Sequence, residues 1–364
     1  MKHLYVGIMS GTSLDGIDIA LTSFSPSAPR ATLLGATCMP FPPALRHDLL
    51  ALCQPGADEI HRAGVAGQQW ARLAAQGVDE LLQQQSVHPD QVSAIGSHGQ
   101  TIRHHPESGF SVQIGAPALL AELSGIDVIC DFRNRDLAAG GEGAPLVPAF
   151  HAWLLAAPQT RAVVNIGGFA NLTLLDGACV SGFDSGPGNV LLDHWIHQHT
   201  GKFFDADGAW ARGGQVIPEL LATMLADPYF ARSAPKSTGR EYFHPAWLAH
   251  QLHSRQDNPA DVQATLLELT ARTIVDALDS CQPQAREIYI CGGGVRNGAL
   301  MERLQQLLAP RPVHSTAALG VDPDWMEAIA FAWLAWRCQT RQSGNLPAVT
   351  GARGERILGA IYPA

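Results

Sequence analysis

Three glycine-rich segments, each directly after an apolar run, could hold phosphate groups. They are Gly7 to Asp18 (GIMSGTSLDGID), Asn165 to Asn171 (NIGGFAN) and the triplet Gly292 to Gly294. Because glycine has no side chain, main-chain N–H groups in such turns can approach a phosphate closely. Each segment alone carries little weight, since short glycine motifs are common. Together, each after a predicted strand, they favour a nucleotide-binding protein.

The better-known phosphate-binding patterns are absent from the sequence. It contains no GxxxxGK[ST] loop, and GGGVRNG follows a late strand without the GxGxxG spacing of a dinucleotide site. In the first segment, Ser10, Thr12 and Ser13 add hydroxyl donors. Asp15 and Asp18 would repel a phosphate unless Mg²⁺ lies between them. An ordinary hairpin turn is the alternative interpretation of this segment.

Asp184 lies in FDSGPGN, between a predicted strand and a predicted helix. A lone carboxylate at a strand end is well placed to act as a general base. A helix cap, or a side chain that stabilises the turn, is an equally good interpretation. Ser185 is a weaker candidate for a nucleophile, because DSGPG does not match GxSxG.

Three further polar residues are candidates for a binding site. His98, in SHGQT, follows a predicted strand and could bind a polar substrate. Arg133, in DFRNRD, offers a fork of donors to a carboxylate or phosphate, with an internal ion pair as the alternative. Glu327 lies in an apolar predicted helix, where a carboxylate is costly unless it is paired or functional. The histidines do not have the HExxH spacing of a zinc site.

Strands and helices alternate along the chain, which predicts an α/β fold. The pattern of strand, small-residue turn and strand near the N-terminus restarts about 160 residues later at RAVVNI. We therefore expect a first domain at residues 1–157 and a second at residues 158–339, with the tail of about 340–364 available to pack on the first. The predicted strands cover residues 4–8, 17–24, 92–96, 110–114, 127–130, 161–166, 171–175, 180–183 and 287–290. The principal predicted helices cover residues 63–85, 146–156, 190–199, 260–278, 298–308 and 324–337.

Composition excludes several classes of protein. The 364 residues are 46% apolar and 16% charged, which is too apolar for a disordered chain. A net charge of -9 argues against nucleic acid or an anionic membrane as a partner. No apolar run reaches the length of a membrane span, and the N-terminus lacks a signal-peptide pattern. Seven scattered cysteines without a CxxC pair are typical of reduced thiols, so we expect a cytoplasmic protein.

The ordered set of motifs resembles the anhydro-N-acetylmuramic acid kinase family, within the superfamily of sugar kinases, actin and heat-shock ATPases. The matching motifs are MSGTSLDGID, SHGQT, DFRNRDLAAGGEGAPLVP, NIGGFANLT, FDSGPGN, PKSTGRE, CGGGVRN and NLPAVTGA. The resemblance implies two ribonuclease-H-like domains with a cleft between them. It also implies that ATP, with Mg²⁺, phosphorylates O6 of 1,6-anhydro-N-acetylmuramic acid while water opens the anhydro ring. The products would be N-acetylmuramic acid 6-phosphate and ADP, in peptidoglycan recycling.

The resemblance also implies residue roles. Asp184 would be the base that activates water, and Glu327 is the candidate second catalytic carboxylate. His98 and Arg133 are candidates for contacts with the sugar or its lactyl carboxylate. The nucleotide would be bound by Gly11, Thr12, Ser13, Leu14, Asp15, Gly16, Ile17, Asp18, Gly167, Gly168, Asn171, Gly292, Gly293 and Gly294.

One departure from the wider superfamily affects the metal. Many members carry an aspartate in the pattern D-x-G-T, and this chain has Met9 at that position. The Mg²⁺ ligands therefore stay open among Asp15, Asp18 and Asp184. The resemblance is compatible with a homodimer.

Three alternatives compete with this interpretation. A kinase of another sugar or small acid on the same fold would differ only in a substrate screen. A chaperone-like ATPase module would hydrolyse ATP slowly without any sugar. A glycosidase that uses Asp184 and Glu327 would act without ATP.

Overall fold

The computed structural model describes residues 3–11, 14–25, 29–177, 179–234, 236–240, 242–253 and 255–364. Its strands are β1 (His3–Met9), β2 (Gly16–Phe24), β3 (Ala31–Pro40), β4 (Val92–Ser97), β5 (Gln100–His105), β6 (Phe110–Ile114), β7 (Val128–Cys130), β8 (Arg161–Ile166), β9 (Phe169–Asp176), β10 (Cys179–Pro187), β11 (Glu287–Cys291), β12 (Val313–Ser315) and β13 (Ala360–Tyr362). Its helices are α1 (Pro43–Leu52), α2 (Glu59–Gln84), α3 (Pro117–Ser124), α4 (Asn134–Leu137), α5 (Val147–Leu155), α6 (Val190–Thr200), α7 (Ala209–Arg212), α8 (Pro218–Leu225), α9 (Pro245–Gln251), α10 (Pro259–Cys281), α11 (Gly298–Leu308), α12 (Met326–Gln339) and α13 (Pro347–Thr350). Across the described ranges, none of these helices has the length and apolarity needed to cross a bilayer.

The chain forms two compact units. The first contains Met1–Leu155 and Trp325–Ala364, and the second contains Ala156–Asp324. The sequence interpretation placed residues up to 339 in the second domain, whereas the structure places α12 on β1, β2 and β4 of the first unit. The physical reason is burial. α12 is apolar on nearly every side, so it needs a sheet face to cover it.

The two units share one sheet topology. In the first, the strand order is β13-β7-β4-β1-β2-β3, and in the second it is β10-β9-β8-β11-β12. Each begins with three antiparallel strands, and two more strands then add in parallel to the first of them. The edge strand β13 is an addition to the first sheet, antiparallel to β7. The predicted fold class, two ribonuclease-H-like α/β domains, is confirmed.

Two glycines let α12 lie against the first sheet. Gly7 and Gly96 are register partners on the parallel strands β1 and β4. A Cβ on Gly7 would lie 1.8 Å from the Ala328 carbonyl oxygen, and one on Gly96 would lie 2.0 Å from that of Phe331. Any side chain at either position would push the helix away from the sheet. This close packing places the first turn of α12, with Glu327, beside the sheet.

Four strands escaped the sequence analysis: β3, β5 and the three-residue strands β12 and β13. β3 is an edge strand with only partly buried side chains, so its apolar pattern is weak. β5 reads Gln-Thr-Ile-Arg-His-His, without apolar alternation, and it forms a two-stranded hairpin with β6. The strand predicted at 180–183 also extends further, to Pro187. Asp184 therefore lies within β10, rather than after it, because pairing with β9 continues past a bulge.

Candidate active site

The carboxyl ends of three strands meet at one edge of the second sheet. β11 is parallel to β8, and β10 is antiparallel to β9, which is itself antiparallel to β8. β8 therefore ends at Gly167 and Gly168 on the same side on which β11 ends at Gly292. In α/β sheets, ligands bind outside the carboxyl ends of parallel strands.

The turn at Gly167 and Gly168 is tied to the start of α6. The carbonyl of Gly168 accepts the N–H groups of Gly188 and Val190, at 2.9 and 3.0 Å, and that of Gly167 accepts the N–H of Asn189 at 2.9 Å. A Cβ on Gly188 would lie 2.5 Å from the Gly167 oxygen. Only glycine permits this approach, which sets an N-terminal helix end beside the turn, where it favours negative charge.

The glycine triplet packs against the end of β8. A Cβ on Gly294 would lie 2.4 Å from Cγ2 of Ile166, and one on Gly292 would lie 2.3 Å from Oδ1 of Asn165. Gly292 also has a φ of 78°, in the region that favours glycine. The structure therefore brings two of the three predicted phosphate segments together. Gly293 lies in the open, with nothing within 4 Å of its Cβ position.

The first glycine segment joins β1 to β2 in the other unit, and Thr12 and Ser13 lie outside the described residues. The Leu14 and Ile17 side chains are buried in the core, so only their main-chain groups are available to a phosphate. Asp15 and Asp18 lie at the start of β2, around Gly16. Gly11 offers its carbonyl to Gln100 at 3.3 Å.

The Ser10 hydroxyl was expected to be a donor to a phosphate, but it is used within the protein. Its hydroxyl donates to the Gly99 carbonyl at 3.0 Å and accepts the indole N–H of Trp70 at 3.1 Å. Ser10 is buried, and these bonds join the first glycine segment to the loop that carries His98. The hydroxyl is thus used inside the first unit rather than held open for a phosphate.

Asp184 is half-buried and pairs across the hairpin with Asn171. The register shifts between Asp184 and Gly186, which marks a β-bulge, a feature common next to active sites. The Oδ2 atom of Asp184 accepts the main-chain N–H of Thr238 at 3.0 Å. The helix-cap interpretation is wrong, since the N-cap position of α6 is held by Asn189. Asn171, expected among the nucleotide contacts, lies beside Asp184.

The first unit brings His98, Arg133 and Glu327 together. His98 follows β4, Arg133 follows β7, and Glu327 lies in the first turn of α12. Nε and Nη2 of Arg133 lie 3.2 and 2.9 Å from Nε2 of His98. The Phe331 ring, one turn along α12 from Glu327, packs on the His98 ring at a centroid distance of 4.7 Å.

Burial sets the charge states in this cluster. Nδ1 of His98 lies 2.8 Å from the Gly99 carbonyl, so it carries the proton and Nε2 accepts from Arg133. Burial, and then the nearby Arg133 charge, lower the pKa of His98 well below its usual value. Burial also lowers the pKa of Arg133 to about 10, against the opposing charge of Glu327. The cluster therefore holds a neutral imidazole and a guanidinium cation that can bind an anion.

A recess of about 350 Å³ opens beside His98 in the first unit. Its lining includes polar residues that the sequence analysis did not single out: Gln113, Asp131, Asn134 and Tyr362. Asp131 has a φ of 56°, and its carboxylate accepts the Asn134 amide at 2.7 Å. The signal available in the sequence was the run DFRN directly after a predicted strand. Tyr362 lies in the last strand, and nothing in its local pattern indicated a place here.

Within the described part of the chain, no cluster of three or more acidic, histidine or cysteine side chains could hold a metal ion.

Comparison with known proteins decides the family. The family model described as anhydro-N-acetylmuramic acid kinase matches residues 3–364. The chain belongs to the anhydro-N-acetylmuramic acid kinase family. A relative of that name in Pseudomonas putida is 57% identical over 99% of both chains. Relatives of that name in Pseudomonas paraeruginosa and Bordetella petrii are 58% and 54% identical, over 99% and 100% of this chain and 99% and 97% of theirs.

The similarity to solved structures is weaker than the similarity to these relatives. The activator of the 2-hydroxyisocaproyl-CoA dehydratase from Clostridium difficile superposes with a TM-score of 0.46 at 10% identity, over 93% of this chain and 96% of that one.

Membership of the kinase family makes this chain an ATP-dependent phosphotransferase of cell-wall recycling.

Proposed function

We propose that the protein hydrolytically opens the 1,6-anhydro ring of anhydro-N-acetylmuramic acid and transfers the γ-phosphoryl group of ATP to O6. The observation that carries the proposal is the edge of the second sheet. There a carboxylate on a bulged strand lies in the same sheet as two glycine turns that suit phosphates. A base and a phosphate site on one rigid element are what the coupled reaction requires.

Asp184 is the proposed base. It takes a proton from water as the water oxygen attacks C1, and the bond from C1 to O6 breaks. O6 then attacks the γ-phosphorus of ATP, and ADP leaves. Attack by water opposite a departing ring oxygen resembles inverting glycoside hydrolysis. The main-chain N–H of Thr238 stabilises the carboxylate in its charged, basic form.

The cluster of His98, Arg133 and Glu327 is the proposed sugar site. The substrate carries a lactyl carboxylate, and Arg133 supplies a cation held in place by the neutral His98 ring. Glu327, in the first turn of α12, is the proposed second carboxylate, which orients water or the sugar. Its negative charge acts on Arg133, so it also tunes the anion site.

The glycine segments are the proposed nucleotide site. Gly167 and Gly168 hold phosphates through main-chain N–H groups beside the α6 N-terminus, and the triplet at Gly292 lies near adenosine. The family resemblance makes the segment from Gly11 to Asp18, including Thr12 and Ser13, a further proposed contact of the phosphates. Asp15, Asp18 and Asp184 are the candidate carboxylates that would hold Mg²⁺, which when bound would neutralise charge on the phosphates.

We also propose a cytoplasmic location and a homodimer, both from the family resemblance. Light scattering tests the second, and twice the chain mass of 38.8 kDa is the expected result.

The test is ADP release with ATP, Mg²⁺ and the anhydro sugar, for wild type, Asp184→Asn and the control Asp176→Asn. Asp176 lies at the exposed end of the same hairpin. We expect Asp184→Asn to lose at least about a hundredfold in kcat, in line with loss of a general base, and the control to lose less than about twofold.

Two results would overturn the proposal. Sugar cleavage without ATP would indicate a glycosidase. ADP release that another sugar stimulates more strongly would indicate a different kinase on the same fold.

A further inference from the structure

Asp184 is held from outside the sheet by three residues, Tyr229, Lys236 and Thr238. Its main-chain N–H donates to the Lys236 carbonyl at 3.0 Å, and its main-chain carbonyl accepts the Tyr229 hydroxyl at 2.7 Å. Its carboxylate accepts the Thr238 N–H at 3.0 Å. β10 is an edge strand of its sheet, and Lys236 gives it one main-chain hydrogen bond there. Together, Tyr229, Lys236 and Thr238 hold both the backbone and the carboxylate of Asp184.

The backbone at this point depends on such support. The bulge after Asp184 interrupts the ladder with β9, so the ladder alone does not fix the direction of the side chain. Gly186 has a φ of 154°, and a Cβ there would lie 2.8 Å from Cε1 of Phe230. The bulge therefore rests on the ring that follows Tyr229 in sequence.

Tyr229 is itself held in a single position. Its side chain is 1% exposed, and its ring stands perpendicular to that of Phe243 at 5.3 Å. The Lys236 ammonium lies 4.8 Å from the centre of the Tyr229 ring and donates to the carbonyls of Tyr229 and Phe230. The main-chain N–H of Tyr229 donates to Asp227 at 2.9 Å. With ring and backbone both fixed, the hydroxyl acts as a rigid support for the Asp184 carbonyl.

We propose that Tyr229 is a positioning residue for the catalytic base, and that its hydroxyl, through the main-chain carbonyl of Asp184, holds the carboxylate where it meets the attacking water. This inference rests on the proposed role of Asp184. A displacement of about 1 Å at a reacting group can lower the rate about a hundredfold. The Tyr229 hydroxyl contacts the main chain of Asp184 and not its carboxylate, so removal of the hydroxyl should lower the rate by less than that.

The test is Tyr229→Phe, which keeps the ring and removes the hydroxyl. The matched control is Tyr242→Phe, in the same aromatic cluster, whose hydroxyl donates to Asp227 at 2.7 Å and not to Asp184. We expect Tyr229→Phe to lower kcat about tenfold with both KM values within twofold of wild type. The control should keep kcat within twofold. Equal kcat values for the two variants would overturn the proposal.

A second measurement separates positioning from a general structural role. In the Asp184→Asn background, Tyr229→Phe should change the residual rate less than twofold, since no base is left to position. A further tenfold loss there would contradict the proposal. Should Tyr229→Phe unfold more than 5 °C below the control, Lys236→Met replaces it, with the same expected loss in kcat and the same contradicting result. Full activity of Asp184→Asn would contradict the assignment of Asp184 as the base. An inactive Asp184→Asn together with a fully active Tyr229→Phe would contradict only the positioning role of Tyr229.

Discussion

At the scale of single residues, Arg133 is the group whose geometry is hardest to replace. Its fork reaches Nε2 of His98 through two nitrogens and the Gly143 carbonyl through the third, at 2.8 Å. Arg133→Lys keeps the charge and loses the fork. We expect KM for the anhydro sugar to rise at least about tenfold, with KM for ATP unchanged. Steady-state kinetics measure both, and Arg135→Lys, an exposed position in the same motif, is the control.

An unchanged KM for the sugar in Arg133→Lys would mean that the lactyl carboxylate binds elsewhere. A parallel rise in KM for ATP would assign the arginine to the phosphates instead.

Buried histidines make stability depend on pH. Burial lowers the pKa of His151 from 6.5 to about 3. Below pH 6.5, His151 binds a proton in the unfolded chain but stays neutral in the folded chain. Its contribution to stability is therefore fully present above pH 6.5 and is lost as the pH falls toward 3. Relative to His151→Gln, wild type should lose about 1.4 kcal/mol per pH unit between pH 6 and pH 4.5. Urea unfolding across that range measures the difference, and a constant difference would contradict the account.

The residue types of the candidate site could be predicted from the sequence, but the contacts between those residues could not. Asp184, His98, Arg133 and Glu327 could be singled out because a polar residue at a strand end, or in an apolar helix, departs from the local pattern. Tyr229 could not, because an aromatic residue in a polar loop has no periodicity to mark it. Its role depends on a hydrogen bond across 45 residues of chain.

At the scale of elements, the contact between α12 and the first sheet is the sharpest constraint. Gly96→Ala would force a methyl group against the Phe331 carbonyl, 2.0 Å away. Overpacking of this kind costs about 3 kcal/mol, and the displaced helix carries Glu327. We expect both lower stability and lower kcat.

Gly64→Ala is the matched control for that change. Gly64 is exposed in α2 with nothing within 4 Å, so the same substitution should stabilise the protein by about 0.5–1 kcal/mol. Thermal unfolding compares the two variants. A Gly96→Ala protein as stable as wild type would show that α12 does not lie so close to β4.

Element prediction succeeded where burial is one-sided or complete. β1, β2, β8 and the helices α10 and α11 carry clear apolar patterns and were placed within a few residues. β5 was missed because its side chains are mostly polar or exposed. Apolar periodicity cannot predict a strand that is stabilised mainly by pairing with its hairpin partner.

At the scale of the whole molecule, the C-terminal segment completes the first unit. The buried Asp136 carboxylate accepts the Gly143 N–H at 2.9 Å, the Asn345 amide at 2.7 Å and the Thr350 hydroxyl at 2.8 Å. Thr350→Val removes one donor from a buried charge without changing shape. We expect a loss of about 2 kcal/mol in unfolding free energy.

The control for that substitution is Thr340→Val, at the exposed end of α12, which should change stability by less than about 0.5 kcal/mol. Urea denaturation of both variants measures the two values. Equal stabilities would show that the tail does not contribute through Asp136.

Chain topology at this scale could be predicted only in part. The repeated strand, turn and strand pattern indicated two related halves. The return of the chain to the first unit at Trp325 could not be predicted from that pattern. The apolar sequence of α12 shows that the helix must be buried, but it does not show which sheet buries the helix.

The most direct measurement is the fate of the water oxygen. Wild-type enzyme is run with ATP, Mg²⁺ and the anhydro sugar in ¹⁸O-water, and the product is reduced at once with borohydride so that the oxygen at C1 cannot exchange. The account predicts one ¹⁸O in the sugar phosphate, at C1, and an unlabelled phosphoryl group. Label in inorganic phosphate without labelled sugar product would contradict it, because ATP would then be hydrolysed by water and the ring left closed.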